Sequence, residues 1–409
     1  MSGTLNESFC ILNKVLREGA YVNLALNEDA VGAMARRIVL GVLERYYKLN
    51  YMISRLVPKA PKAVVRIVLM QGIYCLTETE MPRYAVVDES VKLTGAIGKK
   101  ELKGLVNAVL QRVADGERPL PDKQDPAYEE VELNAPRWLI QMLKKEYPKA
   151  YKRILKGDET HLEHIRLRRG EDAKRWENAP GVIARTATGF FVRPDEGIRK
   201  AFSEGRLTYQ SLTSTYAVLA AGAVEGKRVL DLCAAPGGKS VFYAERGAVV
   251  TASEKYPHRA DLIRAYAGRM GVRLSAITLS DATVLRPDFV GQFDVVAVDA
   301  PCSGLGVLAK RQDAVLRKKP EDIDELGLLQ SKILSVAAQY VKAGGILLYT
   351  TCTVTAKENG EQIAAFLAAH KEFALDKIPL PYDNKGELQF LPDGKGLDGF
   401  YIARMKRFG

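Results

Sequence analysis

Two cysteines in the C-terminal half of the sequence stand where thiol chemistry is expected. Asp299-Ala300-Pro301-Cys302-Ser303-Gly304-Leu305-Gly306 and Tyr349-Thr350-Thr351-Cys352-Thr353 each close an apolar, β-branched run. Those runs read as the fourth and fifth strands of an alternating series. Both thiols then emerge at the carboxyl edge of one sheet, where doubly wound folds keep their ligands. Two thiols sharing an edge beside an acid, Asp299, point to covalent chemistry. Cys10 and Cys75 fall on apolar helical faces and read as packing residues, and Cys233 is compatible with packing as well.

The reaction that calls for such a set is carbon alkylation of a pyrimidine. C5 of cytosine is a poor nucleophile because the ring is electron-deficient. A thiolate adding to C6 turns the ring into an enamine, and C5 can then attack an electrophilic methyl. An acid at N3 must supply a proton or a hydrogen bond as charge develops there, and Asp299 is the candidate. C5 afterwards loses its proton and the thiol is eliminated, so a second group must assist release. Two cysteines and one aspartate fill these roles, whereas methylation of an amine nitrogen needs no covalent apparatus. The spacing does not order the two thiols.

A ligand loop precedes them. Val229-Leu230-Asp231-Leu232 runs into Cys233-Ala234-Ala235-Pro236-Gly237-Gly238-Lys239-Ser240, a small-residue turn directly after the first strand. Glycines there allow close backbone approach, and the next helix offers free N–H groups at its start. Glu254 ends the second strand, where an acid can accept both hydroxyls of a ribose, and Asp281 ends the third, placed to meet an adenine amino group. A GxGxxG fingerprint and a P-loop are both missing, which argues against dinucleotides and nucleoside triphosphates. A nucleoside-type cofactor fits the pattern, and a solvated acid at a strand end remains the bland alternative for Glu254 or Asp281 taken singly.

The elements that must position these residues are legible from periodicity. Arg228–Cys233, Val249–Glu254, Leu274–Ser280, Phe293–Ala300 and Ile346–Cys352 read as strands. Helical spacers such as Pro257–Met270 and Asp322–Val341 separate them, so the second half is expected to be an α/β, doubly wound, Rossmann-like domain with a parallel sheet. Phe400–Met405 reads as its final edge strand. Residues up to about Arg118 read as an all-α bundle, with stripes such as Leu102, Leu105, Val106, Val109, Leu110 and Val113 at three- and four-residue steps. The segment 117–126 carries three prolines and no apolar period, as a linker does. Three domains are expected: a helical one over 1–125, a mixed α/β connecting piece over 126–205, and the catalytic one over 206–409.

The chain has 409 residues, 60 basic against 49 acidic, and a formal net charge of +11. That surplus is compatible with a polyanionic partner. No apolar run approaches the roughly 20 residues of a membrane span. Five cysteines without CxxC pairs make neither a disulfide framework nor a zinc site, so no metal is expected and a reducing cytoplasm fits. Nothing suggests more than a monomer.

At these motifs the chain resembles the RNA cytosine-C5 methyltransferases, specifically the bacterial RsmB (Sun/Fmu) type that acts on 16S ribosomal RNA. The matching segments are LDLCAAPGGKS at 230–240, DAPCSGLG at 299–306, YTTCT at 349–353 with Glu358-Asn359 following, and DGFYIA at 398–403. The first half resembles the NusB-like RNA-binding domain fused to these enzymes, at YAVVDESVKL (84–93) and GLVNAVLQR (104–112). The resemblance implies a class I methyltransferase fold with S-adenosyl-L-methionine held by Cys233, Ala234, Ala235, Pro236, Gly237, Gly238 and Lys239, together with Glu254, Asp281 and Asp299. It implies Cys352 as the nucleophile and Cys302 as the cysteine that helps release product. Two segments depart from the family. Ala309-Lys310-Arg311-Gln312-Asp313 stands where an Arg-Arg-x-Pro-Asp-type segment is usual, and Gln210-Ser211 replaces Gln-Asp. Lys310, Arg311 and Arg317 are candidate phosphate contacts at the pocket mouth, and Arg166, Arg168 and Arg169 add cations in the middle segment. A methyltransferase for tRNA or another ribosomal site, and a non-catalytic RNA-binding assembly factor, are the alternative readings.

Overall fold

A computed structural model describes residues 2–27, 31–157, 160, 162–308 and 313–409. The chain forms two compact units, one of residues 1–145 with 310–318 and one of residues 146–309 with 319–409.

The first unit is helical, as the apolar stripes require. Helices Ser2–Arg17, Ala33–Glu44, Ala63–Glu78, Arg83–Ala96 and Lys103–Ala114 turn Leu12, Val39, Val42, Val68, Ile73, Val106 and Leu110 into a shared core. Cys75 lies in that core, where burial pushes its thiol up to about 12. Cys10 does not. It is exposed on the outer face of the first helix, because Leu5, Phe9, Leu12 and Val15 already fill the inward stripe. The proline-rich segment is pinned to the bundle at its end: the Tyr51 hydroxyl (2.7 Å) and Arg55 (3.3 Å) both donate to Asp125. Asn134 fixes the following helix by donating to the Leu43 carbonyl at 2.8 Å and accepting from the Tyr47 N–H at 3.1 Å.

The second unit holds two sheets. Strands β1 (Glu163–Leu167), β2 (Val182–Arg185), β3 (Gly189–Val192) and β4 (Leu207–Tyr209) form an antiparallel sheet in the order β2-β3-β1-β4. Its core is Ile165, Trp176, Phe190, Val192, Ile198 and Leu207. Arg166 is not a surface cation. It is 1% exposed, its guanidinium pairs with Glu245 and stacks 4.3 Å from the Phe242 ring, and its Nε donates to Gln210 at 2.8 Å. The strand's alternation explains this: Ile165 faces one side of the sheet and Arg166 the other, against the helix Gly238–Glu245.

The second sheet has eight strands: β5 (Arg228–Leu232), β6 (Val249–Glu254), β7 (Ala276–Leu279), β8 (Phe293–Asp299), β9 (Val341–Thr351), β10 (Phe373–Leu375), β11 (Glu387–Phe390) and β12 (Phe400–Arg407). The order is β7-β6-β5-β8-β9-β12-β10, with β11 also paired to β12. Strands β5 to β9 are parallel to their neighbours, and β12 runs antiparallel to β9. The sheet is therefore mixed. β12 is also interior, not an edge, because β10 and β11 pair with its outer side. Its almost unbroken burial, Phe400 to Ala403 and again Met405, is what an interior strand needs. Alternate residues face opposite helical layers: Leu230, Val296, Leu347 and Tyr401 meet the helix Pro320–Tyr340 layer, while Val229, Val295, Leu348 and Ile402 meet that of Leu212–Leu219. From β5 the chain adds β6 and β7 on one side, then crosses back to add β8 and β9 on the other, making the ends of β5 and β8 the switch point of the sheet.

Candidate active site

The parallel register of β8 and β9 sets Asp299 beside Thr350, so the two cysteine loops leave the sheet together. The Ala300 N–H donates to the Thr350 carbonyl (2.9 Å), and the Gly306 N–H to that of Cys352 (3.0 Å). Gly306 must be glycine here. A Cβ would lie 2.1 Å from the Gly399 carbonyl oxygen and 2.9 Å from that of Cys352. The result brings the two predicted thiols together, with Cys302 Sγ 3.3 Å from Cys352 Sγ.

Asp299 completes the edge. Its Oδ2 accepts from Lys239 Nζ at 2.6 Å and its Oδ1 from the Thr350 hydroxyl at 3.0 Å. Lys239 reaches it from the turn after β5, so the switch-point loop and the thiol edge share one ion pair. Burial alone would lower the Lys239 pKa, yet it is raised, because Asp299, Asp231 and Cys352 surround the ammonium with negative charge. The Cys302 thiol is held well above its ordinary range by its hydrogen bond to Cys352, by burial, and by the charges of Cys352, Glu358 and Asp299.

The small-residue turn is shaped for close approach. Cys233 (φ 59°) and Gly237 (φ 106°) are left-handed, and a Cβ on Gly237 would press on Ile263 at 3.1 Å. Burial, with the charges of Glu254, Asp299 and Asp231, pushes the Cys233 thiol up to about 12, which leaves it a neutral group. Asp231 is fully buried and takes a 2.5 Å hydrogen bond from Ser240, while desolvation pushes its carboxyl up to about 7.

The two expected acids end their strands as read. Glu254 is 2% exposed, with Oε1 accepting from the Lys255 N–H (2.9 Å) and Oε2 from the Ala235 N–H (3.3 Å). Asp281 is more open. It pairs with Lys255 at 2.8 Å and accepts from Thr283, and these contacts lower its carboxyl to about 2. A cradle of open backbone at Gly237 flanked by two carboxylate acceptors fits a nucleoside-bearing cofactor with ribose hydroxyl and amino donors.

Of the candidate phosphate contacts, Lys310 and Arg311 lie outside the described residues. Arg317 belongs to the helical unit, where it donates to the Gly19 (2.7 Å) and Ala20 carbonyls, pairs with Asp313 and stacks 4.8 Å from the Tyr21 ring. Among the described residues no cluster of His, Cys, Asp and Glu is arranged to hold a metal ion. No helix there is long and apolar enough to cross a membrane.

Sequence reasoning gave Glu358 and Asn359 no task. The structure buries both beneath the thiols. Asn359 accepts from Thr351 (2.6 Å) and donates to the Thr353 carbonyl (3.2 Å). The signal was present in the hydroxyl run Thr350, Thr351, Thr353 and Thr355, whose donors at a buried sheet edge require nearby acceptors.

Comparison with known proteins agrees with this architecture. Residues 218–406 match the family described as 16S rRNA methyltransferase RsmB/F, and residues 6–115 match the NusB family. A probable ribosomal RNA small subunit methyltransferase B from Bacillus subtilis (strain 168) is 31% identical over 440 aligned positions, covering 97% of each chain. The ribosomal RNA small subunit methyltransferase B of Pasteurella multocida (strain Pm70) is 31% identical, over 91% of this chain and 88% of that one. The crystal structure of PH0851 superposes with a TM-score of 0.82 over 98% of both chains at 22% identity, a likeness of fold. With two relatives above 30% identity along nearly their whole length, a NusB domain and a Rossmann-like domain in the same order, this chain belongs to the RsmB/F family of RNA methyltransferases.

Proposed function

We propose that the protein transfers a methyl group from S-adenosylmethionine to C5 of a cytosine in 16S ribosomal RNA, through a covalent bond between Cys352 and C6. The observation that carries this reading is the thiol pair, 3.3 Å apart at the sheet edge that also holds Asp299. The order of the two thiols, Cys352 attacking and Cys302 assisting release, follows the family resemblance. The Cys302 thiol is held well above its ordinary range by its hydrogen bond to Cys352, by burial and by neighbouring negative charge.

In this reading Cys352 Sγ bonds to C6 while Asp299, bridged to Lys239, takes part in a shared proton at N3. S-adenosylmethionine, when bound, would supply the electrophilic methyl that C5 attacks. C5 then gives its proton to water, the freed electron pair expels Cys352 Sγ as the S–C6 bond breaks, the N3 proton returns to the Asp299 side, and Cys302 assists that release. The turn from Cys233 to Lys239, with Glu254, Asp281 and Asp299, would hold the cofactor. The target base must be unstacked to expose C5 and C6. Lys310 and Arg311 are proposed as phosphate contacts, with the helical NusB unit adding RNA affinity, while Arg317 anchors residues 313–318. The protein is read as a cytoplasmic monomer.

The test is incubation with unmodified 16S RNA, small ribosomal subunits and tRNA in the presence of labelled S-adenosylmethionine, followed by mapping of 5-methylcytosine. Label in 16S RNA or subunits is expected. Label confined to tRNA would replace the substrate, and no transfer to any RNA would remove the enzymatic reading.

A further inference from the structure

Beneath the thiol pair lies a carboxylate that holds the residue following each cysteine. Glu358 has 0% exposure. Its Oε1 accepts from the Ser303 N–H at 2.7 Å and from Gln330 Nε2 at 3.2 Å. Its Oε2 accepts from the hydroxyls of Ser303 (2.5 Å), Thr355 (2.8 Å) and Thr353 (3.2 Å). Ser303 follows Cys302 and Thr353 follows Cys352. Gln330, on the long helix Pro320–Tyr340, also donates to the Pro301 carbonyl at 2.9 Å, so the first loop is held on both sides of its cysteine. Five donors more than fill the roughly four lone-pair sites of a carboxylate, so at least one bond is shared.

We infer that Glu358 is the positioning residue that sets the two thiols against each other, one buried carboxylate clamping both cysteine loops into a single reacting unit. The inference rests on the proposed covalent reading for its purpose, and on the hydrogen-bond pattern for its existence. A neutral residue would not serve. An amide presents an N–H₂ to at least one set of donors, leaving a buried clash of donors where the carboxylate accepted them all. The negative charge has a second consequence, since it lies beside Cys302 and helps to hold that thiol protonated. Glu358 thus fixes the distance between two chemically identical side chains.

The clamp is tested first without RNA or cofactor. Diamide oxidises a thiol pair by taking up two electrons and two protons as the S–S bond forms, and the rate reports how the two sulfurs are held. In the full-length protein, Cys302 and Cys352 are expected to close rapidly, read as a 2 Da mass loss on the peptides carrying them. In Glu358→Gln the closure is expected to slow at least ~10-fold while S-adenosylmethionine binding, by equilibrium dialysis, stays within about twofold. Single-turnover adduct formation with RNA is expected to fall about 100-fold, the scale of a misplacement near 1 Å. Glu358→Asp, which keeps the charge, should recover part of both rates. A folded Glu358→Gln protein that oxidises at the wild-type rate overturns the inference. Should that variant not fold, Ser303→Ala removes one attachment of the Cys302 loop. A several-fold slowing of closure is then expected, and an unchanged rate is again decisive against the clamp. If the wild-type protein methylates no RNA, the proposed function fails while the oxidation experiment still decides the role of Glu358.

Discussion

At the scale of single residues, the site is governed by which charges face which groups. Lys239 is a cation shared between the ligand turn and the thiol edge, and its 2.6 Å contact with Asp299 is an ion pair joining them. Lys239→Met should lower single-turnover methyl transfer by the folded variant about 100-fold, the usual scale for removing one aimed charge from a partly buried site. Unaltered transfer would mean that the pair is only structural. Asp231 makes a different prediction. Its carboxyl moves from an ordinary value of 3.8 to about 7 because it is buried. Between those values the folded chain holds a proton that the unfolded chain has lost. The group's contribution to stability is therefore complete below pH ~4 and is lost as pH rises through about 7. At 1.36 kcal/mol per unit the loss approaches about 4 kcal/mol. Asp231→Asn keeps an acceptor for Ser240 and cannot ionise. The denaturant midpoint of this variant relative to wild type should rise between pH 5 and 8, and a difference that is flat with pH would contradict the assignment.

At the scale of elements, much was legible and the misses have physical causes. The strands predicted around Asp231, Glu254, Asp299 and Cys352 are present, because buried parallel strands are written as plain apolar runs. β12 was read as an edge because the short partners Phe373–Leu375 and Glu387–Phe390 carry too few residues for a periodic signal. Arg166 was read as a surface cation because its burial depends on Glu245, 79 residues away, which no local pattern reveals. This last point is testable. Arg166→Ala leaves Glu245 charged and buried without its partner, so a loss of about 3–5 kcal/mol is expected in urea unfolding. The salt dependence of RNA binding should not change in the folded variant. A loss of under 1 kcal/mol with a shallower salt slope would restore Arg166 as a phosphate contact.

At the scale of the whole molecule, the order of a NusB helical unit and a Rossmann-like unit was carried by the sequence, since periods of 3.6 and alternating β/α runs differ over long windows. The site was legible as a set of side chains at one edge. Its internal wiring was not, because the contacts from Lys239 to Asp299 and from Glu358 to Ser303 span 60 and 55 residues. The net charge of +11 makes a prediction at this scale. RNA affinity should weaken steeply with salt, each phosphate contact adding roughly 0.7 to the log–log slope for single strands. The double variant Lys310→Ala, Arg311→Ala should reduce that slope by about 1–2 in filter binding, and an unchanged slope would remove both residues from the interface.

Cys352 is proposed to form the bond to RNA and Cys302 to release it. The most direct test incubates wild type, Cys302→Ala and Cys352→Ala with 16S RNA and S-adenosylmethionine, digests the products, and maps nucleotide-bearing peptides by mass spectrometry. An accumulated adduct is expected in Cys302→Ala, attached at the peptide carrying Cys352, and none in Cys352→Ala. An adduct on Cys302 that builds up when Cys352 is removed, or 5-methylcytosine still formed by Cys352→Ala, would contradict it.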